Sequence, residues 1–133
     1  MTLKTLANSV EKVQMLKAQL RGPERDLALR QIASLSVEEK RALFPEWVHL
    51  ARAAHAPFQL AWDVIESLPR DWVLQNIPKE VETILEDEDE TDYWMFLQLY
   101  ARLDRALMRG LAQRAAAHSD AEIRELGRDY LAK

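Results

Sequence analysis

The chain has 133 residues, of which 48% are hydrophobic and 30% charged, and it contains no cysteine. This composition is typical of one small helical domain, and it excludes a disulfide framework and a thiolate zinc site. Basic residues number 18 and acidic residues 22, so the net charge of -4 is opposite to that of a general phosphate-backbone binder. The chain lacks an apolar leader segment and any long apolar run, so we expect a cytoplasmic protein that does not enter a membrane.

Apolar residues recur in the same columns when the chain is written in rows of about 34 residues. The rows begin at Leu3, Val37, Asp71 and Arg105, and one column holds Leu16, Leu50 and Ile84. Each row has a break near its middle and another at its end, which is the pattern of two helices joined by a turn. We therefore predict an all-α fold of about eight helices in a single domain over residues 1–133, stacked as four hairpins at residues 3–36, 37–70, 71–104 and 105–133.

The first hairpin carries clear helix start and stop signals. Between Leu3 and Leu20, apolar residues recur at spacings of three and four, which predicts one amphipathic helix. The pair Gly22-Pro23 ends this helix and starts a second one, which we expect to run to about Ser34.

Prolines and a cap divide the middle of the chain. Ser36 and Glu39 have the spacing of a capping box, in which both side chains accept hydrogen bonds from amides at the start of a helix. Pro45 is expected to bend or divide the helix that follows, because a proline inside a helix removes a hydrogen bond. Pro57 opens the next helix, and Pro78 is expected to divide the segment after it into two short helices.

Residues 80–92 contain eight acidic residues and no basic one, so the negative charge is concentrated in this part of the chain. The helix predicted at residues 93–103 is apolar nearly all round, which places it at the centre of the core or partly in an interface, and allows a homodimer. Asp104 and Ser119 are expected to cap the last two helices, and Ser119 with Glu122 matches a second capping box.

Residues 118–131 carry a spaced set of small, aliphatic and basic residues. A capped start is followed by the pair Ile123-Arg124, a small residue at Gly127 and a leucine at Leu131. This pattern resembles the second helix of a HEAT-type repeat. The resemblance implies a stack of helical hairpins, as an open α-solenoid or a compact bundle, that binds another macromolecule, and it implies no catalytic residue.

The chain carries no recognisable catalytic, cofactor or metal motif. Its three glycines are isolated from one another, so it lacks a glycine-rich phosphate loop. His49 and His55 are six residues apart, which does not suit the spacing of four in a helical zinc pair. We therefore expect no enzyme, no cofactor and no metal. The alternative is a small-molecule enzyme in which Glu46 and His49 converge, one helical turn apart.

The acidic run is open to three interpretations. Asp87, Asp89 and Thr91 have the spacing of the first EF-hand calcium ligands, but Asp92 stands where that loop needs glycine and Gln98 where it needs glutamate. A second interpretation is a solvated loop that its like charges keep extended. The third is a docking surface for a basic protein, because dense charge steers association and aromatic residues beside a charged rim favour binding hot spots.

The docking surface is the hypothesis that we carry forward. One form of it is an acidic protein that blocks a basic partner, as immunity proteins against secreted nuclease toxins do. We expect Trp47 and Trp62 in the core and Trp72 at the surface. The predicted members of the docking surface are Glu86, Asp87, Glu88, Asp89, Glu90, Asp92, Tyr93, Trp94 and Trp72.

The arginines of the last two helices offer a different function, since arginines that line the groove of a HEAT-like protein bind nucleic acid in a salt-dependent manner. Acidic residues are interleaved with them, which favours a solvated helix surface instead. Nucleic acid is therefore an alternative partner and not the expected one. The residues of this alternative face are Arg105, Arg109, Arg114, Arg124 and Arg128.

Overall fold

The structure is a computed structural model that describes residues 3–23, 25–52, 58–86 and 89–133, with side chains from residue 11 onward. These ranges contain nine α-helices, one short 3-10 helix and no strand, so the predicted all-α fold is confirmed. None of these helices is long and apolar enough to cross a membrane. The helices are α1 (Leu3–Leu20), α2 (Arg25–Leu29), the 3-10 helix (Ile32–Ser34), α3 (Val37–Ala42), α4 (Phe44–Ala51), α5 (Phe58–Ser67), α6 (Arg70–Leu85), α7 (Glu90–Leu103), α8 (Arg105–Ala116) and α9 (Ala121–Leu131).

The chain forms two compact units, Met1–Trp47 and Val48–Lys133. In the first unit, α1 packs against α2 and α3. The most buried side chains of this unit include Leu16 and Trp47. The buried carboxylate of Glu46 accepts two hydrogen bonds of 2.8 Å from the guanidinium of Arg21. This pairing compensates the cost of burying a charge.

The start signals of the first half agree with the structure in part. The capping box is confirmed, because the Glu39 amide donates to Ser36 Oγ at 3.1 Å and the Ser36 amide donates to Glu39 Oε1 at 2.9 Å. The predicted division near Pro45 is also confirmed, since α3 ends at Ala42 and α4 begins at Phe44. The helix expected to run to Ser34 is wrong in its second half, where the short 3-10 helix replaces it. Pro57 lies outside the described residues.

The predicted break at Pro78 is wrong. Helix α6 runs without interruption from Arg70 to Leu85 with Pro78 inside it. Pro78 is exposed, whereas Val73, Ile77, Val81, Ile84 and Leu85 are buried. Burial of this apolar stripe outweighs the one hydrogen bond that the proline removes.

In the second unit, α6 and α8 lie side by side and run in the same direction. At their starts, Arg70 Nη2 lies 2.8 Å from Asp104 Oδ1, across a sequence separation of 34 residues. Near their ends, Arg114 pairs with Glu82, across 32 residues. These separations are close to the predicted period.

A second row of parallel helices is formed by α5, α7 and α9. Arg102 at the end of α7 donates to Glu66 at the end of α5, across 36 residues. At the starts of α7 and α9, the carboxyl group of Glu90 lies close enough to that of Glu122 for Glu122 to raise its pKa. The second helix row therefore repeats the arrangement of the first.

Consecutive helices of the second unit run in opposite directions, as shown by Arg70 at the start of α6, which donates to the Leu103 carbonyl at the end of α7. The α6–α7 and α8–α9 turns therefore share one edge of the unit. The α5–α6 and α7–α8 turns share the other edge.

Candidate docking surface

Three of the predicted acidic residues lie at or next to the α6–α7 turn. Glu86, Asp89 and Glu90 are exposed there. Asp87 and Glu88 lie outside the described residues. Asp89 is the N-cap of α7, because its Oδ1 accepts hydrogen bonds from the amides of the second and third residues of the helix start, at 2.7 and 3.3 Å. Part of the acidic run therefore has a structural role in starting α7.

The α8–α9 turn brings two further acidic residues to the same edge. Asp120 caps α9, and its Oδ1 accepts hydrogen bonds from the amides of Glu122 at 2.9 Å and Ile123 at 3.1 Å. The predicted capping box of Ser119 with Glu122 is wrong, because the aspartate one residue later takes the amides that the serine was expected to bind. Glu122 is exposed in the first turn of α9.

The two turns together form an unusual electrostatic arrangement. Hydrogen bonding to Glu122 is the largest of several effects that raise the pKa of the Glu90 carboxyl, followed by slight desolvation and by the negative charges of Glu122, Asp120 and Asp89. The positive ends of the α7 and α9 dipoles offset part of this repulsion. The structure therefore holds like charges together at a solvent-exposed position.

Trp94 adds an aromatic side chain to this surface. It lies four residues after Glu90 on α7, so both residues lie on one face of the helix. Its side chain is 46% exposed, which is unusual for a tryptophan in a helix that is otherwise largely buried. We call the surface formed by Glu86, Asp89, Glu90, Asp120, Glu122 and Trp94 the acidic edge.

Two predicted members of the docking surface lie in the interior instead. Asp92 is 4% exposed, and its Oδ1 lies 3.3 Å from the guanidinium of Arg52. Tyr93 is 1% exposed, and its ring meets the His118 ring edge-on with the centroids 5.7 Å apart. Both side chains are thus buried, so neither belongs to the accessible surface of the acidic edge.

The four tryptophans have different environments. Trp47 and Trp62 are buried, as expected, and Trp62 Nε1 donates to the Ala51 carbonyl at 3.2 Å. Trp72 is half-buried near the start of α6, which belongs to the opposite edge of the unit. The structure therefore does not bring Trp72 to the acidic edge.

The five arginines of the alternative nucleic-acid face point to different parts of the second unit. Arg105 and Arg109 donate to backbone carbonyls at the end of the chain, at 3.4 and 3.5 Å. Arg124 donates to two carbonyls of the α8–α9 turn, both at 3.3 Å. Arg114 pairs with a carboxylate of α6, and Arg128 is exposed. Four of the five are thus engaged in contacts within the fold.

The candidate catalytic and metal-binding residues have the following environments. The Glu46 carboxylate is held by Arg21, and His49 is exposed. His55 lies outside the described residues, as does Asp87 of the calcium pattern. Within the described ranges, no group of three or more His, Cys, Asp or Glu side chains could hold a metal ion.

Sequence reasoning missed Asp120 and Glu122 as members of the acidic edge. The signal was present, because Asp120 and Glu122 occupy nearly the same place in the last hairpin as Asp89 and Glu90 in the one before it. Comparisons with protein-family models, curated proteins and solved structures gave no match. The functional assignment therefore rests on the geometry of the acidic edge.

Proposed function

We propose that this protein is a non-catalytic binding module that docks a basic protein partner on its acidic edge. The observation that carries the proposal is that two helix starts, each with an aspartate cap followed by an exposed glutamate, lie at one edge of the unit. This places the carboxyl groups of Glu90 and Glu122 near each other at the surface. Such a pair is unfavourable in the free protein when both groups are ionised. A lysine or arginine of a partner that lies between the two carboxylates removes this repulsion, so binding gains more than it would from an isolated carboxylate.

Trp94 supports the same proposal. A half-exposed tryptophan beside acidic residues offers apolar area to a partner, and its ring face can also bind a cation. An interface of this kind combines a buried aromatic anchor with a charged rim, and the rim accelerates association.

We also propose that the second unit is a HEAT-like stack. Two features support this: the HEAT-like pattern in residues 118–131, and the contacts between successive hairpins at separations of 32 to 36 residues. A stack with this repeat places the turns of successive hairpins at one edge, which explains how two acidic turns come to form a single surface.

Inhibition of a basic partner is the most specific form of this function. A small acidic protein that covers the positively charged working surface of a basic protein blocks it without any chemistry of its own. Immunity proteins against secreted nuclease toxins act in this way, and the acidic edge has the charge that such a role requires.

Partner capture tests the proposal. The immobilised native protein is exposed to a nuclease-treated lysate of its own organism, beside three variants: the pair Glu90→Gln and Glu122→Gln, the single Trp94→Ala, and the control pair Asp71→Asn and Asp129→Asn. The control makes the same change in net charge at exposed positions outside the acidic edge. We expect one basic protein that the native chain and the control retain, and that the other two variants lose or retain weakly.

Two outcomes contradict the proposal. Equal retention of the same protein by the native chain and by the Glu90 and Glu122 variant would show that the acidic edge does not bind it. Retention only when nucleic acid is left in the lysate would favour the alternative face that contains Arg105 and Arg109.

A further inference from the structure

The edge of the second unit opposite the acidic edge contains a cavity of about 430 Å³. It lies between the end of α5, the start of α6 and the end of α7. This volume falls in the range of small-molecule sites, roughly 300 to 1,000 Å³. Its apolar lining consists of Ile65, Leu68, Val73, Leu74 and Leu103.

Two arginines and a glutamate form the polar part of this cavity. The Nε and Nη2 atoms of Arg102 hold the Glu66 carboxylate at 2.6 and 2.9 Å. On the other side, Arg70 Nη2 holds Asp104 at 2.8 Å while its Nε donates to the Leu103 carbonyl at 3.3 Å. Both guanidinium groups are thus fixed in position, although the side chain of Arg70 is 64% exposed and that of Arg102 is 42% exposed.

The two cavity arginines keep hydrogen-bond donors that the fold does not use. Each guanidinium engages its Nε and Nη2 atoms, and neither Nη1 atom has a partner among the described residues. The neighbouring carboxylates of Glu66 and Asp104 are already paired, and the exposed carboxylate of Asp63 lies 3.8 Å from Arg102 Nη2. Arg70 is therefore the guanidinium with fewer carboxylates around it. Because arginine only donates hydrogen bonds, a ligand that completes this site must bring an acceptor, and an anionic acceptor gives the stronger bond.

We propose that this cavity binds a small carboxylic acid with an apolar body. The apolar part packs against Leu74 and its neighbours, and the carboxylate accepts a hydrogen bond from Nη1 of Arg70. The cavity is separate from the acidic edge, so this proposal does not depend on the proposed docking function.

Octanoate is the probe, and octanol is the neutral probe of the same chain length. Methyl groups of the protein report on binding in carbon-13 NMR titrations of the full chain. We expect octanoate to shift the methyl signals of Leu68, Val73, Leu74 and Leu103 together. Octanol should bind at least about tenfold more weakly, because a hydrogen bond to a charged group contributes more than a neutral one.

Three variants locate the site. Arg70→Gln should weaken octanoate binding by about tenfold while it leaves octanol binding unchanged. Leu74→Glu places a carboxylate in the apolar lining and should abolish binding of both probes. Arg105→Gln removes an exposed arginine that does not line the cavity and should change nothing.

The proposal is overturned if the shifts are scattered over the protein or absent, or if octanoate and octanol bind equally well. It is also overturned if Arg105→Gln weakens binding as much as Arg70→Gln does. Because Arg70 is an exposed surface residue, its variant is expected to fold, so the result does not depend on Leu74→Glu.

Discussion

At the scale of single residues, Gly127 shows how closely α8 and α9 pack. A Cβ atom at this position would lie 2.4 Å from the Ala116 nitrogen, 2.6 Å from the Ala112 oxygen and 2.8 Å from the Ala115 carbonyl carbon. All three are backbone atoms of α8, so no side-chain rotation can make room. The small residue in the HEAT-like pattern thus has a physical reason in this chain.

Alanine at position 127 should therefore destabilise the protein. Gly127→Ala forces α9 away from α8, and we expect it to lower the free energy of unfolding by about 1–3 kcal/mol. Gly110 is the matched control, because a Cβ atom there meets nothing within 4 Å. Gly110→Ala should raise the free energy of unfolding by about 0.5–1 kcal/mol. Urea denaturation measures both, and a similar effect of the two substitutions would refute the close approach.

The pKa of Glu90 gives a prediction about pH. Because contact with Glu122 raises this pKa in the folded state, folding takes up protons between the ordinary glutamate pKa, about 4.3, and the raised value. The native protein therefore loses stability as the pH rises through this window, and the loss persists at neutral pH. Glu90→Gln lacks this loss.

We accordingly expect Glu90→Gln to have a higher melting temperature than the native protein at pH 7, and the difference to disappear below about pH 4. Thermal denaturation across this pH range measures it. Glu125→Gln makes the same charge change at an exposed position of α9 away from Glu90. If the two variants show the same pH dependence, the raised pKa of Glu90 does not come from the pair.

At the scale of elements, the N-cap of α9 differs from the one that the sequence pattern predicts. The pattern favours Ser119, and the structure has Asp120. Asp120 accepts both amide hydrogen bonds, whereas Ser119 precedes the cap. Asp120→Ala should lower the free energy of unfolding by about 1 kcal/mol, and Ser119→Ala should have little effect. Chemical denaturation of both variants checks this, and a larger loss for Ser119→Ala would restore the original capping box.

The helices were predictable where local signals and tertiary packing agree. The capping box at Ser36 and the break before Pro45 follow from local chemistry that no later packing reverses. Pro78 was misjudged, because the proline lies on the exposed side of α6 while the buried side holds the helix together. Helix propensities of single residues do not include the free energy gained when one side of the helix is buried against the rest of the unit.

At the scale of the whole molecule, the sequence period predicts the contacts between hairpins of the second unit better than it predicts the site. The pairs Arg70 with Asp104 and Glu82 with Arg114 lie at separations of 34 and 32 residues. The burial of Tyr93 beneath the acidic turns was not predictable, because its aromatic neighbours have no polar pattern that marks one side as exposed. Only the packing of α7 in the folded unit shows that Tyr93 is buried while Trp94 is exposed.

The most direct test of the acidic edge is the salt dependence of partner retention. The basic protein captured from the lysate is held on the immobilised native chain, on the variant with Glu90→Gln and Glu122→Gln, and on the control with Asp71→Asn and Asp129→Asn, and is then eluted with rising NaCl. We predict that the native chain and the control release it at the same salt concentration, because their acidic edges are identical. The edge variant should release it at lower salt. Release of the partner at one salt concentration from all three proteins would contradict the account.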